Sequence, residues 1–277
     1  VFKFLLEDNA LAKLLIGTII QEEILTLDFR PQERTSEIEI GDSRCLTVYR
    51  MDFAARIRNA AGEERQVLIE LQKAKYATDI MRFRRYLGSQ YRDPDNTRLV
   101  ETKGAEPKTV CQGLPLLTIY FLGHRLEHTK APVIRVRRAV EDLATGELLT
   151  EKEPFIEGLT HDSYVIQVPQ LRGKRRNEIE EMLQLFDPGH KGSDRHFLEI
   201  DETDIPPPYS PLLRRLRMAL AEPSIVEAME IEDEILEALQ ENERALAKLR
   251  QRAEEADRRA EAEKQRAEEE KRRAEEE

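Results

Sequence analysis

The sequence predicts an α/β fold, in which a central mixed sheet is flanked by helices and followed by a helical arm. Short runs rich in Val, Ile, Leu and Phe alternate, over residues 1–190, with segments whose apolar residues recur every three or four positions. No aromatic residue follows Tyr209. With 277 residues and 40% hydrophobic content, the chain can form one sizeable core, but not over its whole length.

A helix followed by a β-hairpin is predicted for the first 73 residues. Residues 1–27 have a helical period, and one side of this helix holds Leu11, Leu14, Leu15, Thr18, Ile19 and Glu22. Residues 46–58 and 65–73 have the composition of strands. The hydrophilic stretch NAAGEE, Asn59 to Glu64, lies between them and predicts the turn of the hairpin.

Further helices and strands are predicted after the hairpin. A helix over residues 77–91 would place Ile80, Phe83, Leu87 and Tyr91 on one face. The continuous apolar run PLLTIYFLG, Pro115 to Gly123, is typical of a buried strand. The segments APVIRVRRAV and DSYVIQVPQ predict two more strands, and RNEIEEMLQLF, Arg176 to Phe186, predicts a short helix.

Three regions are expected along the chain: a main domain over residues 1–200, a Pro-rich linker with a short basic helix over residues 201–223, and a charged helical tail over residues 224–277. In the tail, Ser224 and Glu227 form a capping box. A heptad seam follows, made of Ile235, Leu239, Asn242, Leu246, Leu249, Ala253, Ala256 and Ala260. Residues 225–250 therefore predict a coiled-coil arm that joins copies of the chain, and the alternative is a lone charged helix.

The charge is unevenly distributed. The formal net charge of −11 argues against a protein that binds nucleic acid over its whole surface. Leu46 to Arg92 nevertheless holds 10 basic and 5 acidic residues, whereas Ser224 to Glu277 holds 11 basic and 19 acidic residues. The predicted hairpin and the helix after it are thus locally basic.

A cytoplasmic protein is expected. The two cysteines, Cys45 and Cys111, lack the spacing of a metal site and are interpreted as reduced thiols. No apolar run approaches the roughly 20 residues of a membrane span, and no signal peptide is recognisable. No membrane partner is therefore predicted.

The stretch VLIELQKAKY, Val67 to Tyr76, places polar residues directly after a strand-like run. Because residues two apart share a strand face, Glu70 and Gln72 lie on one face and Lys73 on the other. A turn centred near residues 61–62 would place Asp52 beside Leu71, so that it neighbours Glu70 and Gln72 across the hairpin. Two carboxylates that converge in this way repel each other unless a cation lies between them.

Such a carboxylate pair fits Mg²⁺, which commonly takes one or two carboxylates together with waters and phosphate oxygens. A bound Mg²⁺ can polarise a phosphate and help to generate a hydroxide nucleophile. The surrounding Arg and Lys residues would hold a phosphodiester backbone. The pattern therefore indicates nucleic-acid cleavage, while the alternative is an Asp and a Glu on the solvated face of an ordinary hairpin.

Several segments together resemble one known family. These are VFKFLLEDNALAKLLIGTII, LDFRPQE, YRMDF, LIELQ, RFRRYLGSQY and LPLLTIYFLG. The order of a helix, a strand with Asp, the IELQK strand and a helix is similar to the PD-(D/E)XK nuclease superfamily. The closer resemblance is to its recombination-promoting branch, the PD-(D/E)XK nuclease family transposases. It covers most of residues 1–190 and excludes the tail.

This resemblance implies a restriction-endonuclease-like fold and roles for particular residues. Asp52 matches the motif aspartate and Glu70 the second acidic residue. Gln72 stands where the superfamily pattern has lysine, as in other branches with an E-x-Q form. Lys73 or Lys75 would then supply the missing cation, and by strand alternation Lys75 is on the appropriate face.

The superfamily also often takes a further metal ligand from its first helix, for which Glu22 and Glu23 are the candidates here. The metal ligands expected from the resemblance are therefore Asp52, Glu70 and Glu23.

The function that this resemblance implies is hydrolysis of DNA with Mg²⁺ or Mn²⁺, in mobile-element recombination, transposition or defence. DNA and further copies of the chain are the expected partners. The alternative is a nuclease fold with weak or no catalysis, which serves as a DNA-binding or protein-assembly module. The substitution of glutamine for lysine at position 72 keeps this alternative open.

Overall fold

The chain divides into two compact units, Val1–Val226 and Glu227–Glu277. A computed structural model provides the structure. It describes residues 2–30, 51–74, 79–101, 108–151, 153–190, 200–227, 241, 244–246, 248–256, 258–259 and 261.

Strands form a mixed six-stranded sheet and a separate two-stranded sheet. In chain order they are β1 (Glu23–Arg30), β2 (Met51–Arg58), β3 (Glu64–Ala74), β4 (Thr97–Glu101), β5 (Thr109–Gly113), β6 (Leu116–Leu122), β7 (Val133–Val136) and β8 (Asp162–Gln167). The large sheet has the order β1-β2-β3-β6-β8-β7, and β4 pairs with β5. Strands β3, β6 and β8 are parallel, while β1, β2 and β7 run antiparallel to their neighbours. The predicted α/β class with a mixed sheet is confirmed.

The α-helices of the main domain, in chain order, are α1 (Phe2–Leu6), α2 (Asn9–Ile20), α3 (Ile80–Arg92), α4 (Pro154–Leu159), α5 (Glu178–Leu183) and α6 (Ser210–Ala221). The buried strand predicted at residues 115–123 and the helix predicted at 176–186 are confirmed as β6 and α5. The two further predicted strands are confirmed as β7 and β8.

The large core lies on one face of the sheet. Side chains from alternate positions of the three parallel strands point to it and are almost completely buried; they are Ile69, Leu71, Leu117, Ile119, Phe121, Tyr164 and Ile166. Helices α1, α2, α5 and α6 contribute the other side of this core, and Tyr164 Oη donates to Ile20 O at 3.0 Å. Four helices thus cover the central part of this apolar face.

The prediction of one helix over residues 1–27 is wrong. Asp8 ends the first turn and caps α2 by accepting hydrogen bonds from the N–H groups of Ala10 and Leu11. Helix α2 then ends at Ile20, and Gln21 adopts a left-handed conformation with φ 58°. The following residues form β1, because pairing with β2 satisfies their backbone groups. Tertiary pairing therefore overrides the helical period after Ile20.

The short basic helix predicted within residues 201–223 is present as α6, but this region is not a linker outside the main domain. Tyr209 and three residues of α6 belong to the large core; the three are Leu212, Leu213 and Leu216. Arg215 Nε donates to Phe4 O at 3.1 Å, and the guanidinium lies 3.7 Å from the centroid of the Phe4 ring. Helix α6 is therefore part of the main domain.

The described residues of the tail are helical over 244–246 and 248–256, with exposed side chains. Leu246 and Leu249 of the predicted seam are 56% and 59% exposed. The seam residues Ile235, Leu239, Asn242 and Ala260 lie outside the described residues. A long coiled-coil helix therefore stays a prediction.

The structure bears in part on the expectations for the cysteines and for a membrane span. Cys111 is a free, exposed thiol, and Cys45 lies outside the described residues. Among the residues whose placement is described, no helix has both the length and the apolar character to cross a membrane.

The place of α6 in the core leads to a prediction about stability. Leu213→Ala should lower the free energy of unfolding by about 2–5 kcal/mol, because it removes a completely buried side chain. Met218→Ala, on the same helix but 58% exposed, should change it by less than about 0.5 kcal/mol. Urea unfolding followed by circular dichroism measures both. Equal, small effects would contradict the assignment of α6 to the core.

Candidate functional site

Asp52 and Glu70 lie directly opposite each other on β2 and β3. The predicted register, with Asp52 beside Leu71, is wrong by one residue, since Leu71 pairs with Met51. The reason lies in the turn. Asn59 N donates to Glu63 O at 3.1 Å, so the hairpin is centred on residue 61 and not between residues 61 and 62. The correction brings the two carboxylates closer together, because directly paired side chains are the nearest neighbours across strands.

Both carboxylates are buried and receive amide hydrogen bonds. Asp52 is 5% and Glu70 1% exposed. Gln90 Nε2 donates to Asp52 Oδ2 at 2.7 Å, and Gln72 Nε2 donates to Glu70 Oε1. Two acidic groups are thus desolvated next to each other, an arrangement in which each ionised group disfavours the other.

The carboxylate pair belongs to a row of polar side chains that crosses the sheet. Arg30 pairs with Asp52, Glu70 pairs with Thr118, and Thr118 pairs with Ser163. Paired residues share a face of the sheet, so the row lies on the face opposite the large core. Thr118 Oγ1 donates to Ser163 Oγ at 2.8 Å. A buried polar strip therefore runs from β1 to β8.

Helix α3 lies against this polar face. Its residue Phe83 stacks on Tyr120, with ring centroids 4.9 Å apart, and joins a small apolar cluster with Ala74 and Leu122. Gln90, two turns further along the helix, reaches Asp52. The small cluster positions the helix, and the helix in turn covers the carboxylates.

The structure separates the residues predicted around Glu70. Gln72 shares the face of Glu70 and is 5% exposed, and its Oε1 is buried without a hydrogen-bond donor among the described residues. Lys73 pairs with Phe121 in an uninterrupted register, so it points to the other face, and its side chain is exposed. Lys75 lies outside the described residues.

Glu23 does not join the carboxylate pair, so its prediction as a metal ligand is wrong. It pairs with Arg58, which is six residues from Asp52 along β2, a distance of about 20 Å. Its carboxylate is bound by Arg58 Nη1 at 3.0 Å and is largely exposed. Glu22 is bound by Arg65 Nη2 at 2.8 Å at the same end of the sheet. The reason is that both residues follow the helix rather than belong to it.

The oxygen atoms of Asp52, Glu70 and Gln72 have the chemistry that binds a hard divalent cation. Two carboxylates and the Oε1 of Gln72 are oxygen ligands of the kind that Mg²⁺ prefers, with waters completing its shell. Among the described residues, no group of three or more His, Cys, Asp or Glu side chains is arranged to hold a metal ion. The site therefore lacks the ligand number of an all-protein cage, and it suits an ion that keeps several waters.

The carboxylates also affect the ionisation of Tyr120, which pairs with Gln72 on the neighbouring strand. Burial, aided by the negative charge of Glu70, raises the pKa of Tyr120 to about 12. Further along the same face, Tyr91 Oη lies 2.8 Å from His161 Nδ1. Burial and the nearby Arg138 lower the pKa of His161. The phenol of Tyr91, whose pKa is raised by burial, and the imidazole of His161 are thus both neutral at pH 7.

Several residues of the site escape sequence reasoning. Gln90 occupies a buried position of α3, where the helical period predicts an apolar residue seven positions after Phe83. A glutamine at such a position is a signal for a buried polar contact. Asn96, Thr118 and Ser163 carry no comparable signal, because their partners are distant in sequence.

Comparison of the chain with family models, with curated proteins and with solved structures found no match.

The environment of Tyr120 predicts its titration. Since its pKa of about 12 exceeds the ordinary value of about 10, Tyr120 should stay protonated up to about pH 11. Tyrosinate absorbance of the wild type and of Tyr120→Phe should then coincide up to that pH, provided that the protein stays folded. The unfolded chain loses this proton first, so Tyr120 should also reduce stability as the pH rises from about 10 towards 12. If Tyr120→Phe shows one tyrosinate fewer than the wild type already near pH 10, the pKa of Tyr120 is not raised.

Proposed function

We propose that the chain is a metal-dependent nuclease that hydrolyses phosphodiester bonds in DNA. The observation that carries this proposal is the directly opposed, buried pair of Asp52 and Glu70. A divalent ion between two desolvated carboxylates offsets their mutual repulsion. The choice of DNA follows from the resemblance of residues 1–190 to the recombination-promoting nucleases.

Asp52 and Glu70 would hold Mg²⁺ or Mn²⁺, with Gln72 Oε1 facing the same site. A bound Mg²⁺ polarises a phosphate and lowers the pKa of a bound water. The amide of Gln72 has a fixed direction, because its Nε2 donates to Glu70 and leaves its oxygen as an acceptor for water. Gln72 would therefore orient a water but bring no positive charge. Lys73 contributes nothing directly, because it lies on the opposite face.

Helix α3 supports binding of a polyanion. The helix contains four arginines and no acidic residue. Arg84, Arg85 and Arg92 are exposed and form no ion pair with the described carboxylates. Such side chains contact phosphates and release counterions, which makes binding salt-dependent. The helix that covers the carboxylates would thus also present the phosphate-binding side chains.

The cellular role and the assembly follow from the resemblance and the tail. We propose that the nuclease acts on DNA in recombination, transposition or defence inside the cytoplasm. Leu246 and Leu249 are the described leucines of the predicted seam, and these exposed side chains would be covered by the tail of a second copy. A homo-oligomer joined by the tail would bring two nuclease sites to one DNA duplex.

A second function is favoured by a specific observation. Gln72 stands in place of the motif lysine, and Lys73 lies on the far face, so neither of these two positions brings a cation to the carboxylates. The chain would then be a DNA-binding or protein-assembly module with weak or no catalysis. This function shares the basic face of α3 but needs neither metal nor hydrolysis.

Substitution of the carboxylates tests the nuclease. Asp52→Asn and Glu70→Gln should each lower Mg²⁺- or Mn²⁺-dependent plasmid nicking by at least about 100-fold, because each removes a metal ligand. Glu23→Gln is the matched control, since Glu23 binds only Arg58 at the other end of the sheet, and it should nick at the wild-type rate. The assay compares purified proteins with metal and with EDTA.

The results separate the two functions. If either site variant nicks the plasmid at the wild-type rate, the proposed metal site is wrong. If the wild type shows no metal-dependent nicking, the proposed nuclease function is wrong. DNA binding that persists without nicking, and that weakens when salt is added, would support the binding module.

Truncation of the tail tests the assembly. Ending the chain at residue 226 should lower the number of chains per particle, obtained from the light-scattering mass divided by the mass of one chain, because it removes the whole second unit. Deleting residues 251–277 should leave the number of chains per particle unchanged, since the seam is strongest from Ile235 to Leu249. A full-length protein that is monomeric at tens of micromolar would show the tail to be a lone helix.

A further inference from the structure

Asp52 is the end of a chain of side-chain hydrogen bonds that reaches back to β1. Arg30 Nη1 donates to Asn96 Oδ1 at 2.9 Å. Asn96 Nδ2 donates to Gln90 Oε1 at 2.5 Å, and Gln90 Nε2 donates to Asp52 Oδ2 at 2.7 Å. Gln90 and Asn96 are each 5% exposed. We refer to Arg30, Asn96 and Gln90 as the amide relay.

The direction of the amide relay is determined by its two ends. A guanidinium can only donate, so Arg30 requires the oxygen of Asn96 and turns its Nδ2 towards Gln90. Asn96 in turn requires the oxygen of Gln90 and turns Nε2 towards Asp52. An ionised carboxylate can only accept hydrogen bonds, so Asp52 is the final acceptor of this chain of hydrogen bonds. Every side-chain donor in the relay therefore points along the path to Asp52, and neither amide can flip without losing at least two hydrogen bonds.

The backbone holds the relay in place. Asn96 lies in the turn after α3, where its N–H donates to Asp93 O at 3.1 Å and its carbonyl accepts from Leu114 N at 2.9 Å. Its Nδ2 also donates to Gln90 O at 3.1 Å, which joins the turn to the end of the helix. Arg30 pairs with Asp52 across β1 and β2. Residues from three separate elements thus hold the one amide that donates to Asp52 Oδ2.

We propose that Gln90 is a positioning residue for Asp52, and that Asn96 and Arg30 set the direction of its amide. This inference rests on the proposed function, in which Asp52 is a metal ligand. By occupying Oδ2 with a directed donor, Gln90 fixes the plane of the carboxylate before the cation arrives. A ligand that is already oriented loses less rotamer freedom on binding, so the cation binds more tightly.

A merely structural role for Gln90 would have a different signature. Its hydrogen bond would then stabilise the contact between α3 and the sheet, and its loss would lower stability without a specific effect on the cation. Gln184 provides the matched comparison. It is also buried, and its Nε2 donates to backbone carbonyls, those of Leu171, Lys174 and Glu180, on the far side of the sheet from Asp52.

Titration of the full chain with Mn²⁺ alone, together with thermal unfolding, tests the proposal. Gln90→Met keeps the length of the side chain but removes the donor, and it should weaken Mn²⁺ binding by about 10-fold or more. Gln184→Met makes the same replacement away from the site and should lower the melting temperature with no change in Mn²⁺ affinity. Asn96→Ala keeps the Gln90 amide but removes the hydrogen bond that fixes its orientation. It should therefore weaken Mn²⁺ binding by less than Gln90→Met does.

The wild type and Asp52→Asn separate failure of this inference from failure of the proposed function. If the wild type does not bind Mn²⁺, or Asp52→Asn binds it equally well, the metal site itself is wrong. If Asp52→Asn loses binding while Gln90→Met and Asn96→Ala keep the wild-type affinity, the metal site stands and the positioning role is overturned. Should Gln90→Met fail to fold, the affinity of Asn96→Ala decides in the same way.

Discussion

The turn over residues 59–63 determines where the carboxylates meet. Asn59 Oδ1 accepts hydrogen bonds from the N–H groups of Ala61 and Glu63, and Gly62 N donates to Asn59 O. Gly62 has φ 82°, a conformation that favours glycine. This turn sets the register of β2 against β3, and a slip of one residue would move every side chain of a strand to the other face. The opposition of Asp52 and Glu70, and all that is built around it, depends on this short loop.

From that register follows a strict division between the faces of the sheet. On β3, Ile69 and Leu71 enter the large core, while Glu70 and Gln72 enter the polar face. The apolar face is covered by four helices, including α6 from the far end of the main domain. Burial of this face supplies the main driving force for folding. The polar face can then be specialised, because the stability of the sheet does not depend on it alone.

Helix α3 gives the polar face its environment. Contact of Phe83 with Tyr120 fixes the helix over β6, and this places Gln90 over Asp52. The covering helix removes water from the carboxylates, which strengthens the electrostatic interactions among them. Its outer side carries exposed arginines, which suit a phosphate backbone. Burial of the acidic pair and presentation of basic side chains are thus two sides of one helix.

Local rules were sufficient to predict much of the site from the sequence. Strand alternation placed Glu70 with Gln72 and away from Lys73, and the short turn brought Asp52 close to them, since both effects act between residues near in sequence. The positions of Glu23 and α6, and the contact of Gln90 with Asp52, were decided by the tertiary structure. Arg30 and Asn96 are 66 residues apart in sequence, and no local period connects them. Only the packing of α3 and its following turn against the sheet brings these groups together, because a side-chain hydrogen bond acts over a few ångströms in space, whatever the separation along the chain.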